Sequence, residues 1–266
     1  SYVDMGSKGG VGANEYFFRV QEGSKVGQFY GFEYAGLDET GNILVYVDGT
    51  DEEGNAIKNK VLASTADPAN KKYIGNGVPT HFVSWSNSFR YKNFDLNIFI
   101  NGSYGNKVMN YTLLAGGSGG IGTMRSPWVN QNKTATAGHA QLVPIDPDKA
   151  YEGTNWYDDI ENIRVSNTGT KTPRPTLSDP NDNDRISSRF IEDGSYLRIK
   201  NIALGYTFPN QWTSKVGIEA LRLFVEGQNI FTIDGLPEGI DPESPGVNNG
   251  YYPQQRLVMG GISLTF

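Results

Sequence analysis

The glycine-rich segment Gly117–Gly122 (GSGGIG) fits the spacing G-x-G-x-x-G, in which backbone N–H groups bind the phosphates of a dinucleotide. That chemistry requires a strand before the glycines, a helix after them and an acidic residue about twenty positions later. Here the sequence MRSPWVNQN follows, with Pro127 close behind, and the chain shows no alternation of strands and helices. The segment therefore favours an external loop, and no cofactor is expected.

Acidic residues are concentrated in Asp48–Asn55 (DGTDEEGN), where four carboxylates surround two glycines. Hard cations such as Ca²⁺ prefer loops rich in oxygen ligands. The spacing departs from a helix–loop–helix calcium site, because Thr50 stands at the third position and no glutamate closes the loop. A solvated turn is the favoured interpretation over a metal site.

Few other residues could support catalysis. His81 and His139 are the only histidines, and neither begins a metal-binding spacing or a nucleophile triad. The absence of cysteine excludes thiol chemistry and cysteine-ligated zinc. Asp158, Asp159 and Glu161 offer paired carboxylates for glycoside hydrolysis, although carboxylates are common in exposed loops. We therefore predict no catalytic residue and no enzyme.

Three aromatic residues suggest ligand binding and not catalysis. Trp128, Trp156 and Tyr157 lie among many Asn, Asp and Thr residues. Aromatic faces stack on sugar rings, and neighbouring polar groups bind the hydroxyls. The three residues are candidate substrate contacts, although the same residues could instead anchor the packing of the loop.

The composition indicates which elements must hold these residues. The chain has 266 residues with 33 Gly, 15 Tyr, 13 Phe and a net charge of -6, and its mean hydropathy is -0.46. Abundant glycine with abundant aromatics suits twisted strands better than helices. The acidic balance opposes nucleic acid as a partner. No apolar run is long enough for a membrane helix, whereas membrane strands need an apolar residue only at every second position.

Alternation with a period of two predicts about seven strands. In the last of them, Val258, Ile262 and Leu264 share an apolar face opposite small or polar residues. Eleven residues tilted in a barrel span about 25 Å, the height of the apolar band of an outer-membrane barrel, and strands of soluble sandwiches are usually about half as long. The predicted strands are Asn14–Gln21, Val26–Ala35, His81–Tyr91, Phe94–Tyr104, Ser195–Phe208, Leu221–Phe231 and Arg256–Phe266.

The connections alternate between short and long. Short ones are predicted at Glu22–Lys25, Lys92–Asn93 and Pro209–Glu219, and aromatic residues flank the last two. A barrel with short turns on one side and long extracellular loops on the other has this pattern. We therefore predict an all-β, antiparallel transmembrane β-barrel segment whose polar face lines a lumen. The long loops are about Gly36–Thr80, Gly105–Gly194 and Thr232–Gln255, and the predicted lumen-facing residues are Asn97, Asn101, Asn201, Glu226 and Gln228.

Several stretches, in order along the chain, resemble the C-terminal barrel of SusC/RagA-type TonB-dependent outer-membrane transporters. They include IGNGVP (Ile74–Pro79), SSRFIEDGSYLRIKNIALGYTFP (Ser187–Pro209), LRLFVEGQNIFT (Leu221–Thr232), GIDPE (Gly239–Glu243) and YPQQRLVMGGISLTF (Tyr252–Phe266). The stretch between Thr232 and Gly239, IDGLPE, departs from the usual threonine-tyrosine pattern of the family. The terminal Phe266 also resembles the signal that the outer-membrane assembly machinery reads, although simple burial at the barrel base would explain it too.

The resemblance implies an energised importer of glycans or peptides, located in the outer membrane of a Gram-negative bacterium. It also implies a plug domain inside a barrel of about 22 strands, a SusD-like surface lipoprotein and TonB as partners. Residues 1–266 are expected to cover the C-terminal part of such a barrel, with the plug, the TonB-contact segment and the N-terminal strands absent. No leader precedes Ser1, so the sequence is expected to start downstream of the true N-terminus.

One rival interpretation is a soluble all-β carbohydrate-binding or hydrolytic module, secreted or held at the cell surface. Such a module would fold in water without detergent, whereas a membrane segment exposes apolar strips that need lipid or detergent. The sequence does not identify the substrate.

Overall fold

The computed structural model describes residues 1–7, 16–116, 140–149, 159–167, 169–174, 181–237, 239–244, 246–248 and 251–266. Gly117–Gly122, Trp128, His139, Trp156, Tyr157 and Asp158 lie outside these residues. The chain divides into two compact units: residues 1–76 with 109–191, and residues 77–108 with 192–266. Among the described helices, none is long and apolar enough to cross a membrane.

The described part of the chain is built mainly from antiparallel strands, which confirms the predicted all-β architecture. Its two short helices are α1 (Tyr111–Gly116) and α2 (Asn210–Thr213). The strands are β1 (Tyr2–Ser7), β2 (Tyr16–Gln21), β3 (Gln28–Gly31), β4 (Glu33–Leu37), β5 (Ile43–Thr50), β6 (Ala56–Leu62), β7 (Lys72–Asn76), β8 (His81–Tyr91), β9 (Phe94–Tyr104), β10 (Lys107–Asn110), β11 (Leu142–Pro144), β12 (Ile163–Val165), β13 (Ile191–Asp193), β14 (Tyr196–Thr207), β15 (Ala220–Asp234), β16 (Val247–Asn248) and β17 (Leu257–Thr265).

The second unit contains a five-stranded antiparallel sheet with the order β17-β15-β14-β9-β8. Each of its strands matches a predicted long strand, and β8 and β9 have the predicted bounds. Lys92 adopts a positive φ of 53° in the two-residue turn that joins β8 to β9. The register places Leu96 opposite Phe89 on one side and opposite Leu204 on the other. Apolar residues therefore line up across the sheet on one face, and polar residues line up on the opposite face.

The alternation is interrupted at one level of this sheet. The register of β14 shifts between Ile199 and Asn201, where Lys200 is an extra residue relative to β9, whereas two residues of β15, Asn229 and Ile230, lie opposite Lys200. On β15 the same level holds Asn229, whose φ is +52°. Such a β-bulge moves the following side chains to the other face relative to simple alternation. Arg198 and Asn201 consequently lie on the same, polar face.

The first unit differs from the prediction at one of its two predicted strands. Val26–Ala35 is divided at Phe32 into β3 and β4, whereas β2 covers Tyr16–Gln21 of the predicted Asn14–Gln21, whose first two residues lie outside the described part of the chain. The Phe32 N–H donates to the Ile186 carbonyl, and the Phe32 carbonyl accepts from the Ser188 N–H. Because the Phe32 backbone bonds to this remote segment, the strand is interrupted at Phe32, whose side chain is fully buried.

The predicted long connections contain packed structure of their own, which the sequence did not predict. The stretch from Gly36 to Thr80 includes β5, β6 and β7, and the stretch from Gly105 to Gly194 includes α1 and four strands. Phe32, Ile43, Val45 and Ala63 form a buried core. Asn183 supports it by accepting a hydrogen bond from the Ile43 N–H at 2.7 Å. Loops with such a core hold a defined shape.

Candidate functional site

The polar face of the five-stranded sheet carries a row of hydrogen-bonded side chains. Near the short-turn end, Arg222 donates from Nη2 to Asp95 Oδ2 at 2.6 Å and from Nε to Oδ1 at 3.1 Å. Gly205 lies between them on β14, and a Cβ at this position would collide with both side chains. A glycine is therefore required for this ion pair to cross the middle strand.

The five predicted lumen-facing residues all lie on this polar face. Glu226 accepts hydrogen bonds from Asn201 and, at 3.0 Å, from Gln228 Nε2. Asn97 accepts one from Ser88, and Asn101 Nδ2 donates to Glu243 at 3.1 Å. These contacts define a polar, hydrogen-bonding surface. That this surface faces a lumen remains a proposal.

A more deeply buried group stands at the long-loop end of the same face. Arg198 donates from Nη2 to Asp241 at 3.0 Å, from Nη1 to Glu243 at 2.9 Å and from Nε to the Thr232 hydroxyl at 2.9 Å. Lys200 Nζ donates to the same Glu243 oxygen at 2.6 Å. Arg198 is 4% exposed and Asp241 is 6% exposed. We call Arg198, Lys200, Asp241 and Glu243 the Arg198 cluster.

Additional hydrogen bonds fix the carboxylates of the Arg198 cluster. Asp241 accepts from the backbone N–H of Glu243 at 2.9 Å and of Gln254 at 2.7 Å. Glu243 also accepts from the Tyr196 hydroxyl at 3.2 Å. Since Asp241 and Glu243 belong to a connection and Arg198 belongs to β14, the cluster fastens the loop between β15 and β17 to the polar face. Neither the composition nor the residue spacing marked these four residues as a site, although all four lie in stretches that carry the family resemblance, Ser187–Pro209 and Gly239–Glu243.

The cluster is arranged to keep both carboxylates ionised. Burial raises the pKa of Asp241, but the N–H groups of Gln254 and Glu243 together with Arg198 outweigh it and leave the pKa below its usual value. Burial likewise raises the pKa of Glu243, and the hydrogen bonds from Lys200 and Asn101 with the charge of Arg198 reverse this effect. The two carboxylates and the two cations balance one another in charge.

These lowered pKa values determine how acid should affect the loop. A carboxyl group with a lowered pKa in the folded state contributes stability above its unfolded pKa, and this stability is lost as the pH falls through the folded value. We expect residues 239–244 to stay protected from hydrogen exchange between pH 7 and pH 5, and to open only below about pH 4. The double variant D241N/E243Q should lose this transition. Opening near pH 6 in the unsubstituted chain would contradict the assignment.

The remaining candidate residues do not assemble into a catalytic or metal centre in the part of the chain that is described. The Asp51 carboxylate accepts from the backbone N–H groups of Glu53 and Asn55, as expected for a solvated turn. Asp159 accepts from the Glu161 N–H at 3.2 Å, and the His81 ring lies 6.3 Å from that of Tyr104. No described group of three His, Asp or Glu residues is suited to a metal ion.

The chain terminus lies at the short-turn end of the sheet. Phe266 follows β17 and is 84% exposed. Aromatic residues gather at the same end, where the Tyr206 ring lies 4.7 Å from Phe94 and 5.0 Å from Phe208. Such rings are typical of a membrane interface. The exposure of Phe266 leaves it accessible to another protein, and its role as an assembly signal stays a prediction.

Comparisons with known proteins agree on one group of relatives. No protein-family model matches the chain. It is 32% identical over 267 residues to the TonB-dependent receptor P3 of Formosa agariphila, covering 93% of this chain and 23% of that protein. It is 26% identical to the TonB-dependent receptor SusC of Bacteroides thetaiotaomicron, covering 100% of this chain and 22% of that protein. The chain thus spans less than a quarter of the length of these relatives.

Solved structures show the same fold. The chain superimposes on the RagAB peptide importer in its closed-closed state with a TM-score of 0.62, at 23% identity, covering 90% of this chain and 23% of that one. A second structure, of the RagAB peptide transporter, gives a TM-score of 0.63 at the same identity. The similar proteins carry the names of receptors and transporters, and none of these names describes an enzyme.

Proposed function

The chain corresponds to the C-terminal barrel portion of SusC-like TonB-dependent receptors, as the sequence resemblance predicted, and on this premise we propose that it forms part of the wall of an outer-membrane nutrient importer. The five-stranded sheet would meet lipid with its apolar face and a water-filled lumen with its polar face. Import itself belongs to the longer receptor, because a closed barrel needs more strands than this sheet supplies.

The two-faced sheet is the observation that carries the proposal. Its strands are 9 to 15 residues long, enough to cross a bilayer at the tilt of a barrel. On one face, Leu204, Val225 and Ile262 remain 50%, 57% and 67% exposed. A soluble carbohydrate-binding or hydrolytic module would cover such residues with a second layer. Their exposure favours lipid over the soluble alternative.

The partners and the substrate follow from the same premise. One similar structure is named a peptide importer, so a peptide is as suitable a substrate as the glycan suggested by Trp128, Trp156 and Tyr157. We propose a SusD-like surface lipoprotein as the outer partner, and TonB as the energy-coupling partner through parts of the receptor outside this chain. The outer-membrane assembly machinery of a Gram-negative bacterium would read Phe266.

Labelling of single cysteines in the full-length receptor tests the assignment of the two faces. The chain has no cysteine, so no native thiol of this segment interferes. Neighbouring residues of β9 alternate between the faces, and we expect Asn97→Cys to react with a charged, water-soluble maleimide while Ile98→Cys stays unlabelled. A fluorophore at Ile98→Cys should instead be quenched by brominated lipid.

Uptake by whole cells tests whether the receptor imports a nutrient. A strain lacking the receptor should lose energised uptake of an oligosaccharide or peptide, and the unsubstituted receptor should restore it. Equal labelling of both cysteines, together with monodisperse behaviour of the receptor in water without detergent, would overturn the proposal in favour of a soluble module.

A further inference from the structure

Two phenylalanine side chains, Phe82 and Phe99, are exposed on the polar face of the five-stranded sheet. Ser103, Asn101 and Phe99 occupy alternate positions of β9 and therefore share one face. Asn101 donates to Glu243 in the row of polar contacts, which identifies this face as the polar one. Phe82, on β8, lies on the same face, because it is paired with Ser103. Phe82 is 78% exposed and Phe99 is 38% exposed, so both rings are accessible to a ligand.

The strand positions between the two rings carry small hydroxyl and amide groups. On β8, Ser84 is paired with Asn101, and Ser86 is paired with Phe99. Both serines are exposed, and within the described residues neither hydroxyl forms a hydrogen bond. A serine hydroxyl both donates and accepts hydrogen bonds. The stretch between Phe82 and Phe99 therefore offers hydrogen-bonding groups between two flat apolar surfaces.

This stretch carries no charged side chain at its described polar-face positions on β8 and β9. On the neighbouring strand β14, Arg198 and Lys200 are cations, but both bond to carboxylates of the Arg198 cluster. The free termini and charged side chains of a peptide would therefore meet no unpaired charge among these residues. A neutral ligand with many hydroxyl groups fits this surface better.

The distance between the rings sets the length of such a ligand. Ser86, the partner of Phe99, lies four residues beyond Phe82 on β8. This separation corresponds to roughly 13 Å along the strand, and the step to β9 adds about 5 Å across it. The two side chains are thus anchored roughly 14 Å apart. A single sugar ring is too short to contact both, whereas an oligosaccharide that lies along β8 reaches from one to the other.

We propose that Phe82 and Phe99 form a track for a neutral oligosaccharide on the lumen side of the sheet. The apolar face of one sugar unit stacks on each ring, and the hydroxyl groups of the units between them exchange hydrogen bonds with Ser84 and Ser86. This inference rests on the importer function proposed above, because that function places the polar face in the lumen. It favours a glycan over a peptide as the substrate, and its contacts are separate from the three aromatic residues selected from the sequence.

Uptake kinetics of the full-length receptor in whole cells test this track. The probes are disaccharides and hexasaccharides from partial hydrolysates of starch, xylan, mannan and galactan, with a tryptic digest of casein as the peptide probe. We expect the KM of the imported hexasaccharide to be about five- to tenfold lower than that of its disaccharide, because a ligand that bridges both rings gains the second contact within one binding event. Phe82→Leu and Phe99→Leu keep an apolar side chain but remove the flat ring, and each should raise the hexasaccharide KM by about five- to tenfold.

Two control variants separate stacking on a sugar from packing within the barrel. Phe231→Leu makes the same change at a phenylalanine that is paired with Ile199 on the apolar face and is 54% exposed. This variant should leave the hexasaccharide KM unchanged. Phe99→Trp preserves a flat aromatic face and should retain the low KM. Because KM does not depend on the number of receptors in the membrane, a lower yield of a variant does not alter the comparison.

The results that would contradict the track differ from those that would contradict the importer function. A hexasaccharide KM that stays the same in Phe82→Leu and Phe99→Leu, or that rises equally in Phe231→Leu, would overturn the track. Import of peptides alone would also overturn it, while leaving the importer function intact. A receptor that reaches the outer membrane and imports neither class of probe would contradict the proposed function itself.

Discussion

Replacing Arg198 by alanine is expected to destabilise the barrel wall by about 3–5 kcal/mol, because the change leaves buried carboxylates without their main cation. Asp241 is 6% exposed and bonds directly to the guanidinium. Lys200 still reaches Glu243, but it makes no contact with Asp241 among the described interactions. The free energy of unfolding of the full-length receptor, measured by urea titration in lipid vesicles, is the quantity to compare.

Two further variants test the origin of the effect of Arg198→Ala. Lys58 and Glu33 form an exposed ion pair, with side chains 49% and 37% exposed, so Lys58→Ala should lower the free energy of unfolding far less than Arg198→Ala. The triple variant R198M/D241N/E243Q removes the unpaired charges together with the cation and should recover much of the loss. A triple variant as unstable as Arg198→Ala would show that packing, and not charge compensation, explains the result.

Replacing Ile98 by arginine is expected to destabilise the receptor by about 2–4 kcal/mol, because a charge would face hydrocarbon near the middle of the bilayer. Ile98 is the fifth of the 11 residues of β9 and lies between Asn87 on β8 and Ile202 on β14. The measurement is again the free energy of unfolding in vesicles, together with the yield of heat-resistant, membrane-inserted receptor in cells.

The neighbouring residue supplies the matched control for Ile98→Arg. Asn97 belongs to the same strand at nearly the same depth, but its side chain accepts a hydrogen bond from Ser88 on the polar face. Asn97→Arg should therefore cost much less, since its charge meets water. If both arginines were tolerated equally, or if Asn97→Arg were the more harmful, the assignment of lipid and lumen faces would be wrong.

The sequence by itself determined the long strands of the five-stranded sheet and most of its two faces. In β9, Leu96, Ile98 and Ile100 alternate with Asp95 and Asn97, and a pleated strand directs successive side chains to opposite sides wherever it forms. This property is local, so it can be read without knowing the partner strands. The family resemblance and the two-residue turn at Lys92 are local in the same sense.

Only the tertiary structure decided where alternation fails and which segments meet. Simple alternation places Arg198 with Ile202 and Leu204 on the apolar face, but the extra residue Lys200 turns Arg198 to the polar face. The register of a bulge depends on both adjacent strands, which the sequence of β14 does not contain. The strand break at Phe32 is a second example, because the backbone partners of Phe32 are Ile186 and Ser188. Contacts between residues so far apart arise from the packing of the whole unit, so no local pattern predicts them.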